Sequence, residues 1–151
     1  ARMLQDATIQ KTDKVLEIGA GSGYMAALLA HQAHRVISLE INPELAKMAC
    51  ENLQKAGVFN AEVRQFDGAK GTPAESPFDV IVLSGSVAVV PSALLAQLKV
   101  GGRLVAIVGD EPVMRATVVT RSSDTAYTTT QPWDTVAPRL QNFPEPERFT
   151  F

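Results

Sequence analysis

The sequence has little with which to staple or anchor itself. It carries a single cysteine, Cys50, so no internal disulfide forms and packing must hold the core. It has no run of about 20 apolar residues, which excludes a membrane-spanning helix. It has no charged-then-apolar leader of the secretory kind. The net charge is −2, from 14 basic against 16 acidic residues, so no global attraction for nucleic acid exists. Two histidines, His31 and His34, form no metal set with Cys50. These absences are read as a cytoplasmic protein with no metal, no membrane and no nucleic-acid partner. What is present is apolar: 46% of 151 residues, enough for one self-sufficient domain and too much for a disordered chain. The chain starts at Ala1, without Met, inside a helical pattern (ARMLQDATI). The expectation is one domain over residues 1–151 that lacks a segment upstream.

Strand and helix signals alternate along the chain. Lys14–Ile18 (KVLEI) is short and β-branched and runs into glycines. Ser22–Gln32 is rich in Ala and Leu and reads as helix. Arg35–Glu40 (RVISLE) is a second strand. Asn42-Pro43 then caps a helix that stops at Gly57. Ala61–Phe66 is a third strand and Phe78–Leu83 (FDVIVL) a fourth, apolar enough to be covered on both faces. Pro91–Leu98 reads as a short helix and Arg103–Val108 as a fifth strand. VMRATVVTR and AYTTTQ read as an antiparallel hairpin. Gly68–Pro77 reads as a loop, and the tail NFPEPERFTF as a surface segment. The fold class is α/β, a mostly parallel Rossmann-like sheet with an antiparallel C-terminal hairpin.

The strongest signal is Glu17 to Gly23 (EIGAGSG), which leaves the first strand and enters the next helix. In an open parallel sheet, ligands bind beyond the carboxyl ends of the strands. Gly19, Gly21 and Gly23 permit a tight turn and close approach of a ligand to backbone. Glu40 ends the second strand, where a carboxylate accepts hydrogen bonds from both ribose hydroxyls of a nucleoside. Loop and acid together imply a ribose-bearing cofactor. The dinucleotide fingerprint needs a sixth-position glycine, and Tyr24 stands there instead. Glu17 at the loop entrance disfavours a pyrophosphate and favours a cationic ligand.

This pattern resembles motif I of class I S-adenosylmethionine-dependent methyltransferases. That resemblance implies that the glycine loop packs on the methionine part, Glu40 holds the ribose, and Asp67-Gly68 contacts the adenine. VLEIGAGSGYMAALLA, ISLEINPELAKMACENLQKAG, VRQFDGAKG, FDVIVLSGS and LLAQLKVGGRLVAIVG resemble the protein-L-isoaspartate O-methyltransferases from about Met3 to Gly109. Membership implies methyl transfer from S-adenosylmethionine to the carboxylate of an isoaspartyl residue in damaged protein, releasing S-adenosylhomocysteine. The chain departs from the family pattern in two places. The upstream Ser-x-Pro-His segment is absent, and Leu83-Ser84-Gly85-Ser86 replaces a Thr-Ala-Ala-like stretch. PWDTVAPRL keeps a loose likeness to the family's final strand.

The resemblance assigns the candidate residues. Glu17, Gly19, Ala20, Gly21, Ser22 and Gly23 are expected on the methionine side of the pocket. Glu40 is expected on the ribose, Ile41 beside the adenine, and Asp67 with Gly68 at the adenine edge. Leu83 and Ser84 are expected to close the floor, with Ser84, alongside Ser86, facing the acceptor as the one catalytic candidate. Tyr24 either lines the pocket or packs under the loop. Trp133 is expected as packing, His31 and His34 as solvated, and Cys50 as a small core residue. Rival readings are a small-molecule methyltransferase of the same fold, a non-catalytic S-adenosylmethionine-binding module, and a nicotinamide-dependent oxidoreductase.

Overall fold

The computed structural model describes residues 2–110, 113–135 and 137–143. Its elements are α1 (Arg2–Ala7), β1 (Lys14–Ile18), α2 (Tyr24–Gln32), β2 (Arg35–Glu40), α3 (Pro43–Lys55), β3 (Ala61–Gln65), β4 (Phe78–Val87), α4 (Ser92–Leu95), β5 (Leu98–Asp110), β6 (Val113–Arg121) and β7 (Tyr127–Thr135). Gly68–Lys70 and Pro73–Glu75 form short 3₁₀ turns inside the expected loop. The seven strands make one sheet in the order β3-β2-β1-β4-β5-β6-β7. β1 to β5 pair in parallel, and β6 and β7 add antiparallel. The strand order reverses between β1 and β4, which opens the crevice that such sheets use for ligands.

Alternation along the strands feeds two apolar layers. Val15, Val36, Val80, Val82 and Val105 face α1 and α2, where they meet Ala7, Leu29, Ala30 and Ala33. Leu16, Ile18, Ile37, Leu39, Ile81, Leu83 and Leu104 face the other way, under Leu94 of α4 and Phe143. Arg103 fastens α1 to the sheet by donating to the carbonyls of Ala7 and Thr8, at 2.8 and 3.0 Å.

The helix ends follow the sequence chemistry. Asn42 Oδ1 accepts from the N–H groups of Glu44 and Leu45, and Pro43 occupies the first helical position. α3 buries Ala46, Ala49 and Leu53. That three-four spacing leaves Cys50 on its flank, exposed, so the core role expected of this residue is corrected. Gly23 caps α2 at φ 89°, and a Cβ there would lie 3.1 Å from the carbonyl oxygen of Ala49. Gly23→Ala is therefore expected to cost about 1–3 kcal/mol, from left-handed strain and the clash with α3. Denaturant unfolding checks this, and an unchanged midpoint would contradict it.

β4 and β5 run longer than their sequence patterns, and α4 is shorter than Pro91–Leu98. The tail from residue 144 onward lies outside the described residues, but Phe143 is buried rather than lying on the surface. Among the described residues no helix is long and apolar enough to cross a membrane.

Candidate functional site

The cavity at the carboxyl ends of β1, β2 and β4 is built from five short pieces of chain. The glycine loop supplies Gly19 and Gly21, the end of β2 supplies Leu39, Glu40 and Ile41, and the end of β4 supplies Ser84 and Gly85. Ile18 and Gly68 complete the base, and the stretch from Pro138 to Phe143 contributes the remaining wall. Gly19 lies at φ 91° and its N–H donates to the carbonyl of Leu39 at 2.8 Å, tying loop to β2. A Cβ on Gly21 would meet nothing within 4 Å, so the loop backbone there faces open space.

Glu40 is 6% exposed, yet its carboxylate is fully ordered by backbone. Oε1 accepts from the Gly21 N–H at 2.9 Å and Oε2 from the Asn42 N–H at 3.0 Å. An ionised carboxylate offers about four lone-pair sites, so each oxygen keeps one for a further donor. Vicinal hydroxyls fit that demand.

Glu17 lies behind the wall rather than on it. It is 0% exposed, and the expected direct lining role is corrected on that ground. The strand period turns Glu17 toward the α1–α2 side, where it pairs in register with Ser38 of β2. The Ser38 hydroxyl donates to Oε1 at 2.7 Å, and the Ser84 hydroxyl donates to Oε2 at 2.6 Å. Burial pushes the Glu17 carboxyl up to about 7, against the two serine hydrogen bonds and with a smaller push from the Glu40 charge. Ser84, which does line the cavity, is thus the group through which Glu17 touches it.

The other expected residues separate cleanly. Gly19, Gly21, Glu40, Ile41, Gly68 and Ser84 stand together on the wall. Leu83 points to the opposite face from Ser84 and is 0% exposed in the core, which corrects its expected place in the floor. Ala20 is buried inside the loop, and Ser22 uses its carbonyl to accept from Asn52 Nδ2 at 2.8 Å. Asp67 is off the wall and caps the following turn by accepting from the Ala69 N–H at 3.0 Å. Tyr24 is 71% exposed, neither under the loop nor on the wall. Ser86 is buried, and its hydroxyl finds no hydrogen-bond partner among the described residues. Trp133 packs beside Ile107, Met114 and Ala116 and donates from Nε1 to Asp6 at 2.6 Å. His31 and His34 are exposed, and no group of three metal-ligating residues occurs among the described residues.

The wall from Pro138 to Phe143 is the part that sequence reasoning missed. Ser86 and Arg139 pair in parallel: the Ser86 N–H donates to the Pro138 carbonyl at 2.7 Å, and the Leu140 N–H to the Ser86 carbonyl at 2.8 Å. The Leu140 side chain then fills the space above two glycines. A Cβ on either Gly19 or Gly85 would lie 2.8 Å from its Cδ2. The likeness of PWDTVAPRL to a final family strand was the available signal.

The family model described as Protein-L-isoaspartate(D-aspartate) O-methyltransferase matches residues 1–136. The chain belongs to the protein-L-isoaspartate O-methyltransferase family. Relatives bearing that family name agree. The chain is 51% identical to the Protein-L-isoaspartate O-methyltransferase 1 of Syntrophobacter fumaroxidans over 110 residues, 73% of this chain and 51% of the relative. It is 45% identical to the family member of Gloeobacter violaceus over 123 residues, 81% of this chain and 60% of the relative. The chain therefore spans roughly half to three fifths of these relatives' length. A solved protein-L-isoaspartate O-methyltransferase superposes with a TM-score of 0.84 at 26% identity, covering 93% of this chain and 46% of that one. A Plasmodium falciparum structure, solved with S-adenosyl-L-homocysteine, shares the fold with a TM-score of 0.79 at 18% identity, covering 92% of this chain and 71% of that one. The mostly parallel sheet with antiparallel C-terminal strands is thus the fold of this methyltransferase family.

Proposed function

We propose that the chain is the cofactor-binding domain of an S-adenosylmethionine-dependent O-methyltransferase acting on the carboxylate of L-isoaspartyl residues in damaged protein. The observation that carries this reading is Glu40: a buried carboxylate, ordered by two backbone N–H groups, opening onto a cavity floored by glycines. The residues present fit the cofactor. Glu40 suits the ribose, the apolar sides of Leu39, Ile41 and Phe143 suit a base, and the bare backbone of Gly19 and Gly21 suits the amino-acid part. Gly68 supports close approach, because a Cβ there would fall 2.5 Å from Ile18 Cγ2.

When bound, the cofactor supplies a methyl group already activated on a sulfonium. The acceptor carboxylate is nucleophilic at neutral pH, so the chain needs no general base. Its residues have to align the reactants and exclude water. Leu140 and Phe143 line the cavity, and Ser84 lines its β4 side with its hydroxyl on Glu17 of β1, where the reading has it meet the acceptor. The reading includes a single domain over residues 1–151, an isoaspartyl protein partner and a cytoplasmic setting. The family relation supports the acceptor, and the exposed thiol of Cys50 suits a reducing compartment.

The test is methyl transfer by the intact chain to a peptide carrying one isoaspartyl residue, against the same peptide with ordinary aspartate. Transfer to the first alone is expected. Tight S-adenosylhomocysteine binding with no transfer to the isoaspartyl peptide would sink the acceptor. Transfer to a phenol or quinone would then favour a small-molecule enzyme.

A further inference from the structure

Glu17 is a buried acid that the alignment of reactants does not use. It is 0% exposed and meets two serine hydroxyls rather than a cation. Its ionisable surroundings are sparse. β2 brings Glu40, which raises its carboxyl further. α2 brings the exposed Tyr24 and His31, and α1 brings Asp6, which is engaged with the Trp133 indole. Nothing among these neighbours balances a negative charge on Glu17. The cavity lies one hydroxyl away: Ser84 Oγ is 2.6 Å from Oε2 and lines the wall, as does Arg139, whose Nη1 donates to the Gly109 carbonyl at 2.9 Å.

The two ligands of the proposed reaction differ by one charge at the sulfur. The donor carries a sulfonium, and the product carries a neutral thioether. Their carboxylate, ribose and adenine groups are identical and the donor's extra methyl does not titrate, so the sulfur's charge is what couples a ratio of the two affinities to Glu17. We propose that Glu17 is the pocket's charge sensor: it gives its proton to solvent when a sulfonium fills the cavity and regains one when the thioether replaces it. This rests on the S-adenosylmethionine reading above. The consequence is selective. Above neutrality Glu17 is anionic and holds the donor, while the product brings one positive charge fewer to the buried acid and is held less tightly. Below neutrality the acid is neutral and the preference fades. Ser84 is the positioning residue, since its hydroxyl links the carboxyl to the cavity and holds it toward the ionised form.

The experiment is a calorimetric titration of the intact chain with S-adenosylmethionine and with S-adenosylhomocysteine between about pH 5.5 and 8.5. The affinity ratio of donor to product is expected to rise about tenfold with pH, the equivalent of one unit of pKa displacement. At about pH 6.5 the donor's apparent enthalpy should depend on the buffer's ionisation enthalpy, because a proton is released, whereas the product's should not. In Glu17→Gln the ratio should be flat. In Ser84→Ala, which removes a hydrogen bond favouring the ionised acid, the rise should move to higher pH. A wild-type ratio that is constant with pH, or a Glu17→Gln ratio that still rises, would overturn the sensor while leaving the cofactor reading intact. Failure of both ligands to bind would overturn the two together.

Discussion

Glu40→Ala is expected to weaken S-adenosylhomocysteine binding by about 1–3 kcal/mol, roughly fivefold to 150-fold. The carboxylate makes two kinds of contribution. One lone pair on each oxygen holds backbone: Gly21 in the glycine loop and Asn42 at the start of α3. Glu40 also lines the cavity, so its remaining lone pairs suit the ribose hydroxyls. A charge-assisted hydrogen bond in a site this buried is about twice as strong as a neutral one. A ligand lacking the 2′-hydroxyl separates the two contributions. It should lose affinity for the wild-type chain and little or none for Glu40→Ala, because coupled partners are not additive. Equal losses in both proteins would mean that the ribose lies elsewhere.

The second large effect concerns stability. Glu17 has its carboxyl raised from 4.5 to about 7 in the fold. The folded chain therefore keeps this proton up to about pH 7, whereas the unfolded chain releases it near 4.5. Below pH 4.5 both states hold the proton and burial of the acid costs no ionisation energy. Between 4.5 and 7 the folded state binds more protons, so stability falls as pH rises. Above 7 the cost is complete, on the order of 3 kcal/mol for a shift of this size. Glu17→Gln keeps an acceptor for one serine and offers a donor to the other, without the titration. The variant is expected to gain on the wild type as pH rises from 4.5, reaching about 3 kcal/mol more stability above pH 7. Glu62 runs the other way, held low chiefly by the hydrogen bond from Arg64, but it is shared by both proteins and cancels in the difference. Denaturant unfolding of the two proteins at about pH 5 and about pH 8 measures it. A difference that does not change with pH would show that Glu17 titrates normally.

The pair of predictions also divides what the sequence made legible from what it did not. The glycine loop, the acid ending β2 and the cap of α3 depend on residues within a turn or two of each other, and all three stand where their local chemistry requires. Glu40 was readable because a strand end and a loop have a fixed relation in this topology. Glu17 was readable as an acid at the site, but its depth was not. Side-chain direction in β1 depends on which face the neighbouring strands bury, and only the register with Ser38 and Val82 settles that. Leu83 and Ser84 illustrate the same limit: adjacent residues in a strand face opposite ways, so one of them had to leave the floor. The wall from Pro138 to Phe143 was hidden for a different reason. It pairs with Ser86, more than fifty positions earlier, and no periodicity within either segment announces that contact. Its glycine partners carried the faint trace, since Gly85 leaves room for Leu140 that a Cβ would remove.

The cavity is shaped for an adenosyl amino acid and not for a dinucleotide. Tyr24 stands where the dinucleotide fingerprint needs glycine, and Glu40 sits at the mouth of a glycine floor with an acid behind it. Calorimetric titration of the intact chain with S-adenosylhomocysteine and, separately, with NAD tests both at once. Saturable one-to-one binding of S-adenosylhomocysteine is expected, with no heat of binding from NAD. Binding of NAD without S-adenosylhomocysteine would contradict it.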